Sequence, residues 1–134
     1  MNYDNITKTD YALFVLRVGI GIMFFLHGYP KMIGGVEKWQ SLGAYGMGSI
    51  GIHFLSTFWG FMAAFSECIG GLMIVIGFYL RYFSLLLFIT MFVAVITHLK
   101  VGDGIMGASH AIEAAFVFLF LFLVGSGKIA IKSD

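Results

Sequence analysis

Four long apolar runs divide the chain: Tyr11 to Tyr29, Thr57 to Leu80, Tyr82 to His98 and Ala108 to Gly125. A helix needs about 20 apolar residues to cross bilayer hydrocarbon, so each run predicts a spanning helix. The third is the shortest and spans if Arg81 and Lys100 carry their charged ends to the two interfaces. Between the first two runs, Pro30 to Ser56 is punctuated by Gly34, Gly35, Gly43, Gly46, Gly48 and Gly51. Within it, Val36 to Leu42 places Trp39 among polar residues, a composition that suits a short helix at the headgroup level. A connection of this length is expected to carry structure of its own. It is read as a lid folding back over the non-cytoplasmic mouth. The other connections are short and force their helices antiparallel. The predicted fold is all-α: an integral-membrane four-helix bundle with a short interfacial helix or lid, in one domain over residues 1–134.

Composition supports that class. With 60% hydrophobic and 11% charged residues, the chain has too little polar surface for a soluble monomer. The lipid bilayer is therefore an expected partner. A net charge of +1 with no basic stripe argues against nucleic acid. The first apolar run exceeds the ~7 to 15 residues of a signal-peptide core, and no small-x-small site follows it, so it is expected to remain as a helix. With four spans both termini share a face. Lys8, Arg81, Lys128 and Lys132 flank that face, against Lys31, Lys38 and Lys100 on the other. The positive-inside rule then puts the termini in the cytoplasm. The single cysteine, Cys68, permits neither an internal disulfide nor a C-x-x-C pair and reads as packing filler.

Small residues four apart, Ser66 with Gly70 and Ala111 with Ala115, mark faces where helices can approach, and Gly19, Gly21 and Gly71 add to this. Phe24, Phe25, Phe116, Phe118, Phe120 and Phe122 read as packing or lipid-facing bulk.

The ionisable residues inside the runs carry the functional signal, because a charge in hydrocarbon costs at least ~2.5 to 3.5 kcal/mol. Counted from the non-cytoplasmic end, Arg17 and Glu67 both fall about 15 to 18 Å deep, so they are expected to pair. A purely structural ion pair is the plainer account of them. His27, His98 and His110 fall in one layer under the lid, with Glu113 a turn below. These four are the candidate proton-transfer residues of one pocket; Arg17, Glu67 and Trp39 are the candidates for holding a cofactor. Each histidine also has a plainer role: His98 as a helix-end cation, His27 and His110 as partners of interfacial water. No spacing fixes a metal site, and His110-x-x-Glu113 reverses the Glu-x-x-His order of di-iron bundles.

Leu16-Arg17 leading to His27-Gly28-Tyr29-Pro30-Lys31 and Gly34-Gly35 resembles the opening motif of the DoxX family of small membrane proteins. Similar in order are Glu67, Gly70-Gly71, Gly77 and Arg81, then Met91, Ala94 and His98, and finally His110-Ala111-Ile112-Glu113 with Gly125-Ser126-Gly127-Lys128. The resemblance implies a four-helix membrane bundle related to the small subunit of thiosulfate:quinone oxidoreductase, with relatives linked to redox and oxidative-stress partners.

Three classes of function fit. One is a membrane oxidoreductase component handling a quinone, with electrons from a separate redox partner, since no flavin or nucleotide motif is visible. Another is a metal or haem site built from His27, His98, His110 and Glu113. The third is a non-catalytic scaffold or small-solute carrier, working as a homo-oligomer. The reading carried forward is the first.

Overall fold

A computed structural model describes residues 5–131; Lys132, counted above among the flanking cations, lies outside them. Five helices follow one another: α1 (Lys8–Ile33), α2 (Gly35–Ser49), α3 (Ser56–Ile76), α4 (Leu80–Lys100) and α5 (Gly104–Val124). Four of them, α1, α3, α4 and α5, are long and apolar enough to cross a membrane. The expected all-α architecture of four spans with a shorter helix after the first is what the chain adopts. It is an integral, multi-pass membrane protein whose apolar outer surface meets the bilayer.

Local chemistry sets the helix ends. Thr7 and Asp10 form a capping box at the start of α1: the Asp10 N–H donates to Thr7 Oγ1 (3.3 Å), and the Thr7 N–H donates to Asp10 Oδ2 (2.9 Å). Pro30 lies inside α1, close enough to its end that the helix continues to Ile33. There the chain breaks at Gly34, and Gly35 takes a positive φ of 82° that most side chains would resist. At the other end of the bundle Gly77 is a left-handed C-cap whose N–H donates to Met73 O at 2.9 Å, ending α3 at Ile76.

Glycines set the packing. A Cβ on Gly21 would lie 2.6 Å from Gly71 O, and one on Gly71 the same distance from Gly21 O, so α1 and α3 touch backbone to backbone. Higher up, Gly28 abuts the Glu67–Cys68 backbone. The same device joins α2 to α3: Gly43 meets the backbone of Ser56, and Gly60 meets that of Trp39. Residue numbers fall on one helix as they rise on the other, so α1 and α2 run in succession antiparallel to α3. α1 covers its second half and α2 its first. α2 is thus a wall beside α3 and α4, not a lid across the mouth. The expectation erred because α1 runs on past Tyr29, and the Gly34–Gly35 break leaves the chain against α3.

Helices α3 and α4 meet where Gly70 faces Leu87. Phe24, Ile74, Leu80, Leu87, Phe118 and Leu121 form the nearly solvent-free core, and Phe24 packs edge-on against Phe118 at 4.7 Å between ring centres. The chain after α5 folds back under the bundle, where the Ile131 N–H donates to Ile76 O (3.0 Å) and the Lys128 N–H to Asp10 Oδ1 (2.9 Å).

Candidate functional site

Where α1, α3, α4 and α5 converge above the core lies a polar chamber of about 220 Å³. α1 contributes Phe24, His27 and Lys31; α3 contributes Glu67; α4 contributes Met91, Ala94 and His98; α5 contributes Gly107, His110 and Ala111. A second cavity of about 370 Å³ lies between α2, α3 and α4, walled mainly by apolar side chains such as Leu42, Met47, Met62, Leu86 and Val93. Tyr45, Phe58 and Ile89, all exposed, stand among its lining residues, so it opens on the flank of the bundle. Lys31, Glu67, Met91, Ala94 and His98 line both spaces and form the wall between them.

That wall carries an ion pair. Lys31 Nζ lies 2.8 Å from Glu67 Oε2, with the glutamate side chain 6% exposed and the lysine 32%. Gly28 makes the contact feasible: with no Cβ, it lets α1 settle on Glu67, and Lys31 one turn later swings over the carboxylate. The Trp39 indole N–H donates to Lys31 O at 3.0 Å, tying the start of α2 to the last turn of α1. Trp39 thus supports the lysine from behind and is outside the lining of both cavities.

The three histidines gather as expected. His27 and His110 stand 5.4 Å apart between ring centres, and Phe24 presents its ring to both, at 6.3 and 6.0 Å. His98 Nδ1 lies 2.7 Å from Asp103 Oδ2, a contact set up by the tight turn after α4 in which the Asp103 N–H donates to His98 O. An Nδ1–H donated to Asp103 leaves Nε2 bare as an acceptor. The chamber therefore offers an ammonium with spare N–H donors, one carboxylate and three imidazoles.

Two expectations fail. Arg17 does not pair with Glu67. It is buried at the other end, where Nη1 donates to Ser126 O (3.0 Å) and Nη2 to Ile129 O, clamping the folded-back C-terminal segment. Arg17 lies beside Gly77 and Glu67 beside Gly28. The eleven helical steps of α1 from 17 to 28 hold those levels ~16 Å apart. The depth count assumed that α1 and α3 start from one plane, whereas α3 reaches higher by the length that α2 covers. Glu113, in turn, is exposed on the outer face of α5 and does not line the chamber. Counting residues along a helix gives a depth but no azimuth.

Lys31 and Asp103 were not among the sequence candidates. Lys31 read only as a flanking cation because the apolar run stops at Tyr29; its signal was Glu67, an acid inside an apolar run that needs a cation within reach. Among the described residues no three of His, Cys, Asp and Glu gather closely enough to hold a metal ion.

A model of the DoxX family matches residues 12–99. The chain belongs to the DoxX family. The match takes in α1 to α4, and with them His27, Lys31, Glu67 and His98, whereas the resemblance at His110 to Glu113 and Gly125 to Lys128 falls outside it. None of the curated proteins and none of the solved structures matches the chain.

Proposed function

We propose that this DoxX-family membrane protein is a component of a redox system that binds a quinone, its headgroup in the polar chamber and its apolar part in the flanking cavity. The observation that carries the reading is the Lys31–Glu67 pair, set in the wall shared by a polar and an apolar space. Ligand sites of this kind join a mostly apolar lining to a few fixed polar groups, and a lateral opening suits a ligand that arrives through lipid. Lys31 has N–H donors left over for a carbonyl oxygen, and His98 stands in the same wall. His27 and His110, on the far side of the chamber from that wall, are the groups that hold and move protons.

The residues fit a headgroup that accepts hydrogen bonds at one end. The chemistry a bound quinone supplies is uptake of two electrons and two protons, and the electrons must come from a separate redox partner protein. The reading treats the chain as one domain, because the chambers draw on all five helices. It sets the protein in a bacterial inner membrane with its termini in the cytoplasm, so that the chamber lies toward the opposite face. Mass spectrometry of lipids extracted from purified protein tests the proposal. Quinone retained in near-equal molar amount through a detergent wash supports it. Wild-type protein that retains none after purification from quinone-replete membranes points instead to a scaffold or carrier.

A further inference from the structure

The turn between α4 and α5 breaks a local rule. Asp103 stands between Gly102 and Gly104, both left-handed with φ of 90° and 71°, and is the N-cap residue of α5. An aspartate at that position ordinarily accepts from the free N–H groups of the first turn; Asp103 makes no such bond. Its carboxylate turns back to His98 instead, with Oδ2 2.7 Å from Nδ1. The turn holds it there. The Asp103 N–H donates to His98 O, and a Cβ on Gly107 would lie 2.5 Å from Asp103 Cβ, so the bare Gly107 makes the room. His98 lines both the chamber and the flanking cavity, and Asp103 lines neither. The imidazole thus stands between an outer carboxylate and the inner spaces. An ionised carboxylate only accepts, so in the neutral ring Nδ1 carries the proton. Nε2, with no hydrogen-bond partner among the described residues, is left as an acceptor.

We propose that Asp103 is a positioning residue: by holding His98 as the Nδ1–H tautomer, it makes the site grip the reduced, hydroxyl-bearing form of a quinone headgroup more tightly than the oxidised form. The proposal rests on the quinone reading above. Lys31, in the same wall as His98, is a donor only. One hydroxyl group accepts from Lys31 and donates to His98 Nε2. A carbonyl oxygen accepts from Lys31 but meets the Nε2 lone pair with its own. The opposite tautomer would erase the difference, because an Nε2–H suits either oxygen. Selective hold on the quinol draws forward the reduction of the bound quinone, whose two electrons come from the redox partner protein and whose two protons end on the headgroup oxygens.

The test uses the purified full chain in bilayer discs at about pH 8, where an ordinary imidazole is neutral. Nitrogen NMR of histidine-labelled protein, with the His98 signals assigned by their loss in His98→Gln, should show a protonated Nδ1 and an unprotonated Nε2. In Asp103→Asn, which keeps the shape and removes the charge, the proton should move to Nε2. Equilibrium binding of a short-tailed quinone, and of its quinol kept free of oxygen, reads the consequence. The quinol-to-quinone affinity ratio should fall about tenfold in Asp103→Asn, the effect of one hydrogen bond. The melting temperature should stay close to the parent, because the pair is exposed. A turn that only shaped the site would weaken both forms alike and leave the ratio where it was. A protonated Nε2 in the wild type, or a ratio unmoved by Asp103→Asn while both forms still bind, would overturn this inference alone. Failure of either form to bind saturably to wild type would overturn the quinone reading and this inference with it.

Discussion

Lys31 and Glu67 are unequal partners. The carboxylate is nearly sealed from solvent, while the ammonium is a third exposed and can relax outward if left alone. Removing the cation should therefore cost more than removing the acid. Breaking a buried pair by taking one partner costs about 3 to 5 kcal/mol, an upper range for a pair with one accessible end. We predict that Lys31→Met lowers the melting temperature in detergent clearly more than Glu67→Gln. Lys31→Met with Glu67→Leu should recover much of the loss; a double variant no better than Lys31→Met alone would contradict the pair. Arg17 has a separate role, as a fork across two backbone carbonyls. Arg17→Lys keeps the charge but not the fork, and should destabilise by roughly 1.5 to 3 kcal/mol, the range for hydrogen bonds to charged groups. Exchanging the charges of Arg17 and Glu67 should give no mutual rescue. The histidine layer was legible in the sequence because depth along a helix follows from counting residues. The Arg17 partner was not, because it is the backbone of a segment beyond the last apolar run, and carbonyls leave no mark in composition.

At the scale of elements, α2 decides whether the apolar cavity exists. It is held to α3 by two glycines that meet backbone, where nothing can yield by rotating a side chain. Gly43→Ala or Gly60→Ala should destabilise by about 1 to 3 kcal/mol or more through overpacking, and should free α2 for protease cleavage near Gly34–Gly35. Gly19→Ala is the internal control, since nothing lies within 4 Å of its added carbon. It should be neutral or slightly stabilising by helix propensity. Equal protease sensitivity in Gly43→Ala and Gly19→Ala would show that α2 is not held this way. The four spans were readable because hydrocarbon demands long apolar runs, and their ends fell within a few residues of the mark. The ends that were missed have local causes: Pro30 is tolerated in the last turns of α1, and Gly77 stops α3 although apolar residues continue to Leu80. The direction of α2 was hidden because its contact with α3 is made by glycines, which carry no hydrophobic periodicity.

For the whole molecule, the broken α1–α2 unit places a polar chamber and a lateral apolar cavity on either side of one ion pair. The positive-inside rule predicts that a reporter active only in the cytoplasm is active when fused at the C-terminus and silent when inserted after Gly102, in the turn between α4 and α5. The reverse pattern would invert the orientation while leaving the site unchanged. The central claim is that Lys31 anchors a quinone headgroup between the two spaces. Its most direct measurement is equilibrium binding of a short-tailed, water-soluble quinone to protein in bilayer discs, comparing wild type with Lys31→Gln and with Glu113→Gln. Saturable one-to-one binding to wild type is expected, with binding at least about tenfold weaker in Lys31→Gln through loss of a charged hydrogen bond and unchanged in Glu113→Gln. Wild-type protein without saturable binding, or folded Lys31→Gln protein binding as tightly as wild type, would contradict it.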